Sequence, residues 1–140
     1  MTSAARPEIW VPDEDEMTRY ANLFACTDVA VNVASSVTLD AVALDVPTVN
    51  VSFDGYTKRD FLESNARIFM FTHYEFIPKS GGVRVAKSPE ELVEHIKAYL
   101  DDPKLDGEGR KKVVAEHCGP QDGKCGERIG RYILDFVRNY

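Results

Sequence analysis

The sequence has no long hydrophobic run: no stretch approaches the roughly 18 consecutive apolar residues that a membrane-spanning helix requires. The first ten residues, MTSAARPEIW, lack an apolar core segment, so we expect no signal peptide. Cysteine is scarce and odd in number, with only Cys26, Cys118 and Cys125, which disfavours a disulfide framework. Together these absences predict a protein of the reducing cytoplasm.

Basic charge is not in excess either. The 140 residues include 17 lysines and arginines against 23 aspartates and glutamates, a formal charge of −6. A nucleic-acid-binding protein needs a basic face to neutralise phosphates, so this balance argues against that class. With 44% apolar residues and no visible repeat, linker or low-complexity stretch, the chain predicts one domain over residues 1–140.

What the chain does contain is a regular alternation of two patterns. Short apolar runs, several of them β-branched, predict strands at residues 9–11, 28–33, 48–53 and 83–85. Segments with apolar residues at helical spacing predict helices at 13–26, 35–45, 88–102, 105–117 and 126–140. Residues 58–71 fit either a helix or a loop. The alternation predicts a three-layer, Rossmann-like α/β domain with a parallel sheet.

Two of the predicted helices have informative details. Residues 88–91 combine a serine N-cap, a proline at the first helical position and a glutamate at the third, which is typical of a helix start. In the last helix the apolar residues recur at helical spacing along one face, at Ile129, Ile133 and Phe136. We expect that face to pack on the domain.

A phosphate site is indicated at the end of the second predicted strand. Ligands of open parallel sheets bind beyond the carboxyl ends of the strands, and Ser35 and Ser36 follow such an end and open a helix. Free backbone N–H groups and two hydroxyls suit a phosphate there. Asp40 lies one helical turn further on, where a carboxylate suits a sugar diol. The same residues also fit an ordinary N-cap and a dipole-compensating acid.

The order of these motifs resembles the donor-binding half of GT-B-fold transferases, closest to CDP-glycerol glycerophosphotransferases and related capsule or cell-wall polysaccharide enzymes. The central likeness is Ser-Ser, three residues, an acid, and a proline that opens the next strand, over residues 35–49. Further similar segments lie at residues 26–33, 81–86, 88–92, 101–103 and 121–129. The resemblance covers roughly residues 9–135.

The resemblance implies roles for particular residues. Ser35 and Ser36 are expected to bind the phosphates of a nucleotide-activated donor, and Asp40 its ribose. Many GT-B families have glutamate at the acidic position, one methylene longer than Asp40. Lys124 and Arg128 are possible donor-phosphate contacts, although both also fit a charged helix start.

The likeness extends to about two-thirds of a GT-B donor domain. An acceptor-binding domain and the first donor-domain strands, with their glycine-rich loop, have no counterpart in these 140 residues. In many inverting members the catalytic base comes from that other half. We therefore expect the lone chain to be inactive, and a missing acceptor domain or partner subunit to complete the site.

The remaining chemistry-bearing residues support no stronger hypothesis. His73 is the one catalytic candidate, as an acid or base facing the cleft, although a surface histidine is the commoner explanation. His117, Cys118 and Cys125 do not have the spacing of a structural zinc site, so we expect no metal. No cofactor is implied. A cysteine nucleophile has no base placed beside it.

Function therefore divides into three hypotheses. The leading one is the donor-binding portion of a glycosyl- or glycerophosphotransferase that takes a UDP-sugar or CDP-alcohol, with neither nucleic acid nor a membrane span involved. The others are a non-catalytic half that needs a partner chain, and a stand-alone flavodoxin-like regulatory module. Size-exclusion chromatography separates them, because a clean monomer favours the module.

Overall fold

The computed structural model describes residues 12–57 and 59–139. The predicted strand at residues 9–11 lies outside them. The helices are α1 (Glu14–Ala25), α2 (Val37–Ala43), α3 (Thr72–Lys79), α4 (Pro89–Asp101), α5 (Gly107–Val113) and α6 (Cys125–Asn139). The strands are β1 (Ala30–Asn32), β2 (Thr48–Val51) and β3 (Val83–Ala86). A 3₁₀ helix (Asn65–Met70) precedes α3, and a π-helical turn (Val114–Cys118) follows α5.

The strands form an open parallel sheet in the order β1-β2-β3. Ala30 pairs with Thr48, which pairs in turn with Val83. The predicted α/β class and the parallel sheet are therefore confirmed. β1 and β2 are shorter than their predicted ranges, and β3 extends one residue beyond its own.

Two apolar layers cover the sheet, and alternation along the strands decides which residue faces which layer. On one face, Val83 packs in a core with Val42 of α2 and Tyr74 of α3, which Val113 of α5 joins. On the other face, Val49 and Ala86 pack against Tyr99 of α4. A further cluster joins α1 to β1 and α2 through buried side chains, Phe24, Ala30, Ala41 and Val46.

Local capping explains the helix starts that the sequence predicts. The Asp13 carboxylate accepts from the Glu16 N–H at 2.7 Å, and the Glu16 carboxylate accepts from the Asp13 N–H at 3.1 Å, which is a complete capping box. Ser88 Oγ accepts from the Glu91 N–H at 3.2 Å, with Pro89 at the first helical position.

The fourth predicted helix, at 105–117, is shorter in the structure, where it forms α5. Asp106 takes a left-handed conformation with φ +64°, so α5 begins only at Gly107, and after Val113 the chain widens into the π-helical turn. Arg110 of α5 is buried, with 1% of its surface exposed. Its guanidinium donates to Asp45 Oδ1 at 2.7 Å and to the backbone carbonyls of Leu105 and Pro103.

The last helix is less buried than the sequence predicts. Ile129, Ile133 and Phe136 are 55%, 54% and 53% exposed, and no described residue of α6 is buried. The helix itself is present, because its apolar face repeats at helical spacing and Arg131 and Glu127 form an ion pair along it. None of the helices in the described ranges is both long enough and apolar enough to cross a membrane.

Candidate functional site

The turn between β1 and α2 carries the two predicted serines at the carboxyl end of the sheet. Ala34, which is buried, has φ +22°, an uncommon conformation for a residue with a side chain. Ser35 Oγ accepts from the Val37 N–H at 3.3 Å, whereas the exposed Ser36 makes no capping hydrogen bond. The Ser36 hydroxyl is therefore not committed to the helix start.

A buried polar network lies beneath this turn and joins four elements. Asn32 Oδ1 accepts from Thr38 Oγ1 and from Asn50 Nδ2, both at 2.9 Å. The Tyr74 hydroxyl lies 2.5 Å from Asn50 Oδ1 and 3.1 Å from Thr38 Oγ1. Burial raises the pKa of Tyr74, so its hydroxyl stays a neutral donor. The network ties β1, β2, α2 and α3 together behind the serine turn.

A cavity of about 250 Å³ opens beside the turn. The serine turn, α2, α3 and the π-helical turn all contribute to its walls. Its lining side chains are Ala34, Ser35, Ser36, Leu39, His73, Tyr74, Ile77 and His117. Two hydroxyls and two imidazoles from separate parts of the chain therefore meet at one apolar-walled site.

The structure brings together three of the predicted site residues. Ser35, Ser36 and His73 all line this cavity. Asp40 is not among the lining residues: its Oδ2 accepts from the Tyr20 hydroxyl of α1 at 2.9 Å. Helical spacing predicts that Asp40 shares a face with the two serines, but it does not indicate this contact between Asp40 and α1.

The two predicted basic residues lie elsewhere, around the start of α6. Arg128 donates from Nη1 to both carboxylate oxygens of Asp122, at 2.8 and 2.9 Å, and this pairing lowers the pKa of Asp122. The Lys124 N–H also donates to Asp122, at 3.0 Å. Neither basic residue is among those that line the cavity.

Sequence reasoning missed α3 and the position of His117. Tyr74 and Ile77 are buried at helical spacing, but Pro78 in the last turn of α3 discourages a helical interpretation. His117 lies in the π-helical turn that follows α5, and it lines the cavity from there. No local pattern places it beside His73, which lies 44 positions earlier in the chain.

A larger cavity, of about 720 Å³, lies at the opposite edge of the sheet. Its walls include Asp45, which precedes β2, and Gly81, which precedes β3. Two of its three cations are engaged within the chain, because Arg110 pairs with Asp45 and Lys111 pairs with Glu108 at 2.7 Å each. Ligands of parallel sheets bind at the carboxyl edge, which favours the serine cavity.

Comparison with known proteins identifies a family for this chain. The family model for CDP-glycerol:poly(glycerophosphate) glycerophosphotransferase matches residues 8–135, which include every described strand and most of α6. No curated protein and no solved structure matches the chain. Since the family match covers most of the sequence, this α/β chain belongs to the CDP-glycerol:poly(glycerophosphate) glycerophosphotransferase family.

Proposed function

We propose that the serine cavity binds the phosphate part of a nucleotide-activated donor, a CDP-alcohol or a UDP-sugar, for a transferase reaction. Family membership indicates a glycosyl- or glycerophosphotransferase-like function and implies a nucleotide-linked donor. The observation that carries the proposal is the cavity at the carboxyl end of the parallel sheet, where Ser35 and Ser36 meet His73. The finer assignment, to the donor-binding part of a GT-B enzyme formed as one domain by residues 1–140, belongs to the same proposal.

In this reaction the acceptor oxygen attacks the transferred phosphorus of a CDP-alcohol, and the bond to the CMP oxygen breaks. With a UDP-sugar the attack is at the sugar carbon and UDP departs. In both cases negative charge collects on the departing phosphate. Hydroxyl and N–H donors placed at that point stabilise it. Ser36 suits this role because its hydroxyl is exposed and makes no capping bond.

The existing hydrogen bonds of Asp40 and Arg128 limit how these two predicted residues can contact the donor. Asp40 Oδ2 accepts from Tyr20, so a ribose contact uses Oδ1 or replaces the tyrosine. Arg128 is bonded to Asp122 through Nη1, so a donor phosphate either contacts the other N–H groups of the guanidinium or takes the place of that carboxylate. Both ion-pair partners are about half exposed, and such an exchange has a small energetic cost.

We test the donor site by titrating CMP, CDP and UDP into the chain and following backbone amide shifts. Ser36→Ala is the informative variant, since it removes a hydroxyl that does not cap α2. We expect it to weaken binding by about 1.5–3 kcal/mol, the value of a hydrogen bond to a charged group, with little change in melting temperature. Ser88→Ala is the matched control, because Ser88 starts α4 on the other face of the sheet. Unshifted Ser35 and Ser36 amides at millimolar nucleotide would overturn the proposal.

A second candidate, a half-enzyme that needs a partner, is favoured by the exposed face of α6. Tyr132 and Val137, 73% and 68% exposed, extend the face around Ile133. A contiguous exposed apolar face of this kind is typical of an interaction surface. We propose that an acceptor-binding domain or a partner subunit covers it. Self-association or a co-purifying partner on size-exclusion chromatography would support this, and a clean monomer would favour a regulatory module.

A further inference from the structure

The serine cavity contains an unusual distribution of charge for a phosphate site. Its lining includes no lysine and no arginine among the described residues, and the basic side chains there are His73 and His117. Lys124 and Arg128, the cations expected to meet a donor phosphate, are outside it. Among the described residues that line the cavity, the two imidazoles are therefore the groups that can place a full positive charge beside a bound phosphate.

Both imidazoles are oriented by aromatic neighbours around α3. The His73 ring stacks on the Phe71 ring, with centroids 5.7 Å apart and planes at 15°. The His117 ring meets the Phe76 ring edge-on, with centroids 5.3 Å apart. Neither imidazole takes part in a hydrogen bond within the described ranges, so their ring nitrogens are available to a ligand.

The backbone explains how His117 reaches this place. The Gly119 N–H donates to the Val114 carbonyl at 3.1 Å, five residues back, which closes the π-helical turn. Such a turn adds one residue to a helical repeat and changes the direction of the following side chains, and π turns are frequent at functional sites. In this chain the turn contains His117, which lines the cavity together with the serines.

We propose that His73 and His117 bind the donor phosphate as a pair of imidazolium ions, so that oxyanion binding at the serine cavity takes up protons. This inference rests on the proposed function, and it assigns the positive charge that binds the donor phosphate to two side chains. His117 is the new assignment. Imidazoles change charge between about pH 5 and 8, so binding should tighten as the pH falls through that interval.

Other groups near the two imidazoles do not account for such a pH dependence. Burial raises the pKa of both Tyr74 and Cys118, and Asp40 adds to the effect on Cys118, so both side chains stay uncharged in this interval. Carboxylate, ammonium and guanidinium groups ordinarily keep their charge over it. The charged side chains on the adjoining elements are Asp40, Arg67, Glu75, Lys79 and Glu116.

Inorganic sulfate is the probe for the test, because it remains a dianion at both of the pH values compared. We would measure its dissociation constant from the Ser35 and Ser36 amide shifts near pH 6 and near pH 8. We expect binding that is on the order of tenfold tighter at the lower pH. His73→Gln and His117→Gln should each reduce the ratio of the dissociation constants at the two pH values. The double variant should bind sulfate nearly equally at both.

The third histidine of the chain provides a matched control. His95 lies on α4, on the other face of the sheet, and His95→Gln should leave the ratio unchanged. Since both cavity histidines are exposed, their variants should fold, which unchanged melting temperatures verify. The imidazole proton resonances of the unsubstituted chain are a second readout, and sulfate should shift those of both cavity histidines.

The outcomes separate this inference from the proposed function. If CMP shifts the amide resonances of Ser35 and Ser36 but sulfate binds equally at both pH values, the proposed donor site is supported and the proposed role of the histidine pair is wrong. The pair is also wrong if His95→Gln reduces the ratio as much as His117→Gln does. If neither CMP nor sulfate shifts the serine amides at either pH, both proposals fail.

Discussion

At the scale of single residues, buried polar groups hold the elements of this chain in their places. The Tyr99 hydroxyl donates to Asp106 Oδ2 at 3.0 Å, and Arg84 donates to the same oxygen at 2.7 Å. The Arg84 guanidinium also lies 5.1 Å from the Tyr99 ring centroid. Burial, reinforced by the Asp106 carboxylate, raises the pKa of Tyr99 far above its ordinary value. The ring is fully buried between β3 and α4, and its hydroxyl stays protonated.

This shift predicts a loss of stability in alkali. Tyrosine in an unfolded chain ionises near pH 10, whereas folded Tyr99 holds its proton above that value, so the folded state binds more protons there. The contribution of Tyr99 is complete below about pH 10. Above it the free energy of unfolding should fall by up to about 1.4 kcal/mol per pH unit.

Urea unfolding at a series of pH values checks this prediction. Tyr99→Phe should reduce the alkaline slope, at a cost of about 1 kcal/mol near neutral pH for the lost hydrogen bond. Tyr56→Phe is the control, since Tyr56 is fully exposed. An alkaline slope equal in Tyr99→Phe and the unsubstituted chain would contradict the assignment.

At the scale of elements, α5 approaches the Gly81–Gly82 backbone, which leads into β3, more closely than side chains allow. A Cβ built on Gly109 would lie 2.2 Å from the carbonyl carbon of Gly81 and 2.3 Å from the amide nitrogen of Gly82. Both neighbours are backbone atoms, which cannot move aside as a flexible side chain does. This contact lets Arg110, the next residue, reach Asp45 from a buried position. The requirement for glycine at 109 is therefore one of packing.

Gly109→Ala should consequently separate α5 from the Gly81–Gly82 backbone. We expect a loss of about 3 kcal/mol or more in the free energy of unfolding, as for overpacking against an unyielding neighbour. Gly107→Ala is the matched control in the same helix, because the nearest atom to its Cβ is an Arg110 side-chain nitrogen at 3.6 Å. That variant should be neutral, or stabilising by up to about 1 kcal/mol. Equal melting temperatures for the two variants would refute the packing argument.

At the scale of the whole molecule, the described residues divide into a packed sheet with its helices and a C-terminal helix that buries none of its residues. The apolar face of α6 contains residues of the size that normally form a core, including Ile129, Tyr132 and Ile133. Helices gain most of their stability from burying such a face. In the lone chain, α6 should therefore be less stable than the helices around the sheet.

Amide hydrogen exchange tests this expectation. Residues 128–137 of α6 should exchange much faster than residues 92–101 of α4, which packs on the sheet through Tyr99. A partner that covers the α6 face should slow their exchange without changing that of α4. Protection in α6 equal to that in α4, with no partner present, would mean that the helix is docked in solution.

Much of the fold could be predicted because its signals are local. The Asp13–Glu16 capping box and the Ser88–Pro89 start lie within one turn of the helices that they open. The β-branched run before the serines and the run after Pro47 likewise indicate β1 and β2 without any distant partner. These local signals were sufficient to predict a parallel α/β sheet.

The candidate site could be predicted only in part. Ser35 and Ser36 follow directly from a strand that precedes a helix, and the structure has them on the cavity wall with His73. Asp40 was predicted on the serine face from helical spacing, but its contact with Tyr20 depends on how α1 packs on α2. The positions of Lys124 and Arg128 relative to the cavity depend on the orientation of α6. The spacing of residues along that helix does not determine its orientation.

By itself, then, the sequence determined the α/β class, the helix starts and the serine turn, because periodicity, capping and turn chemistry act between residues close together in the chain. Only the tertiary structure decided that His117 shares a cavity with His73, that Arg110 is buried against Asp45, and that the α6 face stays exposed. Each of these depends on contacts, made or absent, between residues far apart in the chain. Packing sets such contacts, and packing is a property of the assembled layers rather than of any one segment.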